Sequence, residues 1–415
     1  MSIETVARNA RAASLQMARI AGAERTTALH AVANALRDGC DGILEANERD
    51  VAAGHQKGLA PSFLDRLTLT RDRVNAMARA VDQIAGQDDP IGRIEHHAVQ
   101  PNGLSVARVR IPLGAIAVIY EARPNVTSDA AALSIRSGNA IVLKGGSDAQ
   151  ESNSAIGDVV RRAVVAAGLP EHAVQVLARG PREDIRALVQ FDDCLDLVIP
   201  RGGEGLIRAV TEASRVPVIQ HYKGVCHVYV DRAADVDRAR AIILDGKVSR
   251  PSVCNSVETV LVHADISERF VPSIVASLHD SGVTVHGCER SRALGGDRVV
   301  PARLEDWAAE YLSLDVALRV VDSYDAAVNH IAEYASDHTE AIVTQDVDTA
   351  DAFVRDVRSS CVMVNASTRF ADGGELGLGA EIGISTSRLH AYGPMGANEL
   401  TTTRFVVRGS GHTRG

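Results

Sequence analysis

Between residues 112 and 200 short apolar runs alternate with helical stretches in strict order, and few folds accommodate that pattern. AIAVIY (115–120), AIVLK (140–144), VQVL (174–177) and LDLVIP (195–200) read as strands. Helices are expected near 128–137, 154–167 and 183–189. Strand and helix in turn mean a parallel sheet covered on both faces, because a parallel connection needs a crossover long enough to hold a helix. A second α/β region begins near Asp231. Its strands are VETVLVH (257–263), VTVH (283–286), AIVTQ (341–345) and CVMVN (361–365), with helices at 267–279, 326–334 and 349–357. A chain of 415 residues with 46% hydrophobic side chains is long enough for two such cores.

The flanks have other rhythms. In the first ninety residues Val6, Ala10, Ala13, Leu15 and Met17, then Leu29, Val32 and Leu36, recur at helical spacing. From Ala98 the pattern turns to alternation, with Leu104, Val106, Val109 and Ile111 following the turn PNG (101–103), as in a β-hairpin. The extended tail TTTRFVVRG (401–409) is suited to pair with that hairpin or with another subunit.

Acidic residues exceed basic ones by 53 to 44, a formal charge of −9, so no general attraction to nucleic acid or anionic membrane is expected. Six scattered cysteines without a CxxC pair or a signal peptide fit a reducing, cytoplasmic setting. They argue against a disulfide framework or a metal site. The longest apolar stretch, near 113–120, is far too short for a membrane span.

Cys254 stands apart from the other thiols. In RPSVCN (250–255), Arg250 supplies positive charge, Pro251 stiffens the approach, and Ser252 and Asn255 frame an exposed turn. Nearby positive charge and backbone N–H groups favour the thiolate. Cys194, Cys226 and Cys361 lie in apolar runs and read as buried core thiols, whereas Cys40 and Cys288 lie in polar turns without such framing.

The dinucleotide motif GxGxxG and the phosphate-binding GxxxxGK[ST] are both absent. Glycine-rich segments nevertheless follow strands at KGG (144–146) and RGGEG (201–205), where open parallel sheets bind ligands. Lys144 there reads as a ribose or phosphate contact, or as a solvated strand end. The second segment opens a helix, a natural anion site. Asn125, restrained by Pro124 just past a strand, suits either helix capping or donation to an oxyanion. His221, between two strands, reads first as structural.

Together these segments resemble the aldehyde dehydrogenase superfamily and, within it, the gamma-glutamyl phosphate reductase family. The matching runs are IPLGAIAVIYEARPNVT (111–127), SGNAIVLKGGSDA (137–149), IPRGGEGLI (199–207), VIQHYKGVCHVYVD (218–231), RPSVCNSVETVLVH (250–263), HTEAIVT (338–344) and VNASTRFADGGELGLGAEIGIST (364–386). The resemblance implies an NADP(H)-binding domain over 1–97 and 112–231, a catalytic domain over 232–386, and an oligomerisation hairpin and tail at 98–111 and 387–415. It implies Cys254 as nucleophile, Asn125 as oxyanion amide, and Lys144, Gly202, Gly203 and Glu310 at the cofactor. Arg123, Arg250 and Arg369 are candidates for the substrate's phosphate or α-carboxylate.

Where hydrolytic members carry a glutamate base in a motif like ELGG, this chain reads HYKG, with His221 at the glutamate's position. Lack of a carboxylate base there protects a thioester from water. The implied reaction is NADPH-dependent reduction of L-glutamyl 5-phosphate to L-glutamate 5-semialdehyde in proline biosynthesis, by a homo-oligomer in transient contact with glutamate 5-kinase. The alternatives are a CoA-acylating or hydrolytic aldehyde dehydrogenase, and a catalytically silent scaffold of the same fold.

Overall fold

The computed structural model describes residues 2–121, 123–177, 179–220 and 222–414. They form two compact units. The first comprises 1–220, 377–383 and 395–415, and the second 221–376 and 384–394.

In the first unit four parallel strands lie in the order Val174–Val176, Ala140–Gly145, Ala115–Tyr120, Leu197–Arg201. AIAVIY is buried at all six positions, as a run covered on both faces must be. The helix Ile3–Met17, capped by the Ser2 hydroxyl on the Thr5 N–H, sets Val6, Ala7 and Ala10 against Ala115, Ala117, Ile119 and Val198. Burying a Val or Ile side chain contributes roughly 1.5–3 kcal/mol, so this stripe binds the helix firmly to the sheet. Leu15 departs from the expected stripe and is 59% exposed. At the helical 100° per residue it falls on the face opposite Met17, which is fully buried.

The hairpin forms from Ile94–Val99 and Ser105–Pro112, closed by the Gly103 N–H to the Gln100 carbonyl at 2.8 Å. The tail strand Thr401–Arg408 pairs antiparallel with the hairpin's second strand. Arg110 strengthens that pairing through the Asn398 carbonyl at 2.9 Å and the Thr401 hydroxyl at 2.6 Å. Ile94, Val99, Phe405 and Val407 of this three-stranded sheet are exposed.

The second unit is built on seven parallel strands in the order Val299–Pro301, Thr284–Gly287, Asp315–Val321, Val257–His263, Cys226–Val230, Thr339–Val343, Cys361–Val364. One face packs Val228, Val260, Phe270 and Ile274, and the other Tyr229, Leu261, Ile342 and Phe353. Several of its elements fall outside the sequence expectations. Among them are the short helix Glu289–Gly295, the strand Val299–Pro301, the strand Asp315–Val321, whose Arg319 interrupts the apolar run, and the helix Val236–Val248, capped by Asp235 on the Arg238 N–H. The strand Cys226–Val230 also lies in this sheet, although 112–231 was expected to belong to the cofactor domain. No helix among the described residues is long and apolar enough to cross a membrane.

Candidate active site

Cys254 sits half-buried on the turn between the helix Val236–Val248 and the strand Val257–His263. The turn is fixed from several sides. Asn255 donates its side-chain N–H to the Ala371 carbonyl at 3.0 Å, the Thr368 hydroxyl donates to the Asn255 carbonyl at 2.6 Å, and Arg369 donates to the Asn255 side-chain oxygen. The Cys226 thiol lies 3.2 Å from the Cys254 carbonyl oxygen and donates to it. Burial first, then the charge of Glu340, pushes the Cys226 pKa well up, so this sulfur keeps its proton. Gly224 packs so closely on the Cys254 main chain that any Cβ there would collide with it. Its N–H donates to Glu310 at 2.8 Å, which ties Glu310 to the strand approach beside the Cys254 turn.

Beneath the turn lies a buried ion pair. Lys247, at the end of the preceding helix, and Glu258, in the following strand, meet at 2.7 Å with both side chains fully buried. Burial pushes Glu258 up to about 7 against the pull of Lys247, and it lowers the Lys247 pKa. The pair closes the base of the loop carrying Cys254.

In the first unit Asn125 opens the helix Asn125–Arg136. It does not cap that helix. Its side-chain N–H runs along the axis to the Asp129 carboxylate at 2.9 Å, one turn on. The Ser128 hydroxyl lies 3.3 Å from the other Asp129 oxygen. Arg123, half-buried just before the helix, donates its main-chain N–H to the Glu121 carbonyl at 2.6 Å. Lys144 is buried at the carboxyl end of its strand, 3.3 Å from the Gly180 carbonyl, and burial lowers its pKa despite nearby Asp184. Its ammonium carries three N–H donors and spends one on Gly180, which fits a site for ribose hydroxyls.

Gly202 and Gly203 form the strand-to-helix turn, and the Gly203 N–H donates to the Glu121 carboxylate at 3.0 Å. The expected anion site thus holds a carboxylate of the protein's own. A Cβ at Gly202 would lie 2.7 Å from that carboxyl carbon, so a larger residue there would push the Glu121 side chain aside. Arg201, at the end of the same strand, faces Glu381 at 3.5 Å.

The structure therefore gathers Glu310 and Arg369 onto the Cys254 turn and its supports. Arg250 is exposed at the start of that turn, and Arg369 is engaged by Asn255 rather than presented bare to a ligand. His221 lies outside the described residues. Four participants were not singled out from sequence: Asp129, Cys226, and the Lys247–Glu258 pair. Asp129 was legible in principle, being four residues beyond Asn125, but only once the helix is known to begin at Asn125 and not near Ser128.

An aldehyde dehydrogenase family model matches residues 1–291. A gamma-glutamyl phosphate reductase of Xanthomonas campestris pv. campestris (strain 8004) is 52% identical over 414 residues, covering the whole of both chains. The crystal structure of gamma-glutamyl phosphate reductase from Thermotoga maritima is 42% identical and superposes with a TM-score of 0.96 over the full length of both. An engineered glycolyl-CoA reductase with bound NADP+ shares the fold at 16% identity and a TM-score of 0.71, over 98% of this chain and 96% of its own. This chain belongs to the aldehyde dehydrogenase family and, within it, to the gamma-glutamyl phosphate reductases.

Proposed function

We propose that this enzyme reduces L-glutamyl 5-phosphate to L-glutamate 5-semialdehyde and inorganic phosphate, with NADPH as reductant, in proline biosynthesis. The observation that carries the reading is Cys254, half-buried on a turn held by hydrogen bonds on both sides, in a chain half identical to reductases of that name.

The Cys254 thiolate attacks the acyl carbon, forming a C–S bond. The tetrahedral intermediate then expels phosphate by breaking the C–O bond to phosphorus. Asn125 and the Cys254 main-chain N–H donate to the oxyanion. Lys144, Gly202, Gly203 and Glu310 hold the nicotinamide cofactor, which when bound supplies hydride to the thioester carbon. The resulting thiohemiacetal releases the aldehyde and restores the cysteine. Arg123 and Arg250 pair with the substrate's phosphate and α-carboxylate, a task for which guanidinium groups suit both anions. Arg369 serves chiefly to hold Asn255.

The exposed Ile94, Val99, Phe405 and Val407 support self-association through the hairpin-and-tail sheet. The lability of an acyl phosphate favours hand-over from glutamate 5-kinase. Cys254→Ala is expected to abolish phosphate-dependent oxidation of the semialdehyde while NADPH titration by fluorescence stays unchanged. Near-native turnover in that variant would overturn the assignment.

A further inference from the structure

Asp129 has no part in the reaction described above, yet it is bonded to one of the groups that reaction uses. Its Oδ2 accepts from the Asn125 side-chain amide at 2.9 Å, and its Oδ1 lies 3.3 Å from the Ser128 hydroxyl. A carboxamide is nearly symmetric in shape and opposite in chemistry at its two ends. A free Asn125 would turn its oxygen as readily as its nitrogen toward a reacting carbonyl. An ionised carboxylate only accepts hydrogen bonds, so it selects the nitrogen end.

We propose that Asp129 is a positioning residue for this reaction: its carboxylate fixes the Asn125 amide so that one N–H is spent on Asp129 and the other is presented to the developing oxyanion. The inference rests on the reading of Asn125 as an oxyanion donor. Preorganisation of this kind matters because a donor that must reorient during the reaction loses much of its stabilising effect.

The surroundings make the device sensitive to pH. Burial pushes the Asp129 pKa up to about 6, against the hydrogen bonds from Asn125 and Ser128. The charged groups facing it are Arg201, at the end of the strand Leu197–Arg201, and Glu381, which oppose one another. Once protonated, Asp129 becomes a donor as well as an acceptor. It then bonds either end of the Asn125 amide, and the selection is lost.

A carboxamide at position 129 has the same ambiguity at every pH. The test is the ratio of kcat for the native enzyme to kcat for Asp129→Asn, measured from pH 5 to pH 8.5 with semialdehyde, inorganic phosphate and NADP+ at saturation. Titration of the substrates cancels in that ratio. The ratio is expected near tenfold at pH 8, falling to about one at pH 5 with its midpoint near 6, and KM for semialdehyde should change little. Asp129→Ala is expected to lose about tenfold or more in kcat at pH 8.

A ratio that stays flat across pH, or native kcat in Asp129→Ala, would overturn the proposal. Should Asp129→Ala fail to fold, the pH course of the Asn variant still decides. Asn125→Ala separates the two layers. If that variant keeps native kcat, the oxyanion reading fails; if it is impaired while both Asp129 variants behave as native, only the positioning role fails.

Discussion

At the residue scale, the same carboxylate that orders Asn125 strains the fold that carries it. Asp129 has a folded-state pKa near 6 against an ordinary 3.8, so the folded chain binds the extra proton between those values. The contribution of this one group to stability is therefore fullest below about pH 4 and falls as pH rises through 6, by roughly 3 kcal/mol for a shift of this size. Asp129→Asn removes the titrating group. The slow-exchanging amides of the helix Asn125–Arg136 are expected to gain protection in the variant at pH 8 and none at pH 4. Equal protection in both proteins at pH 8 would contradict the burial argument. Stability gained at the cost of turnover is what a site that places a charge for chemistry should show. Sequence made Cys254 and Asn125 visible because both lie in distinctive turns. It hid Cys226, which reads as a core thiol in GVCHVYV, because only the adjacency of two parallel strands brings its sulfur to the Cys254 carbonyl.

At the scale of elements, the turn that carries Cys254 is a loop cinched at its base. The Lys247–Glu258 pair joins the end of one helix to the strand that follows, and both charges are fully buried. Removing one partner of such a pair strands the other charge and costs about 3–5 kcal/mol, whereas replacing both with apolar side chains is often close to neutral. Lys247→Met is expected to lower the urea midpoint of the second unit strongly, and Lys247→Met with Glu258→Leu to recover most of it. Trp307, the chain's one tryptophan, lies in that unit and reports its unfolding. A double variant no more stable than Lys247→Met would show that the pair is not the source of the effect. The pair was unreadable in sequence because the helix Val236–Val248 went unexpected. Its apolar positions are diluted by Arg238, Arg240 and Asp245, and without that helix Lys247 has no reason to point inward.

At the scale of the whole molecule, the alternation of apolar runs and helices was enough to establish two parallel-sheet α/β regions, and the hairpin's partner in the tail was foreseeable from its extended pattern. Strand order was not. A sheet that runs 299–301, 284–287, 315–321, 257–263 from its edge inward places late strands beside early ones, and no local pattern encodes that. Cys226–Val230 and Val257–His263, by contrast, are consecutive strands joined by one helix, and their pairing sets the Cys226 thiol against the Cys254 turn. The proposed exchange of the Cys254 acyl group with phosphate, sheltered from water, is the step on which the function turns. Its most direct test is the initial rate of NADP+ reduction by L-glutamate 5-semialdehyde with and without inorganic phosphate. The rate is expected to rise with phosphate to saturation and to be near zero in its absence. Steady turnover without phosphate, yielding glutamate by hydrolysis, would contradict it.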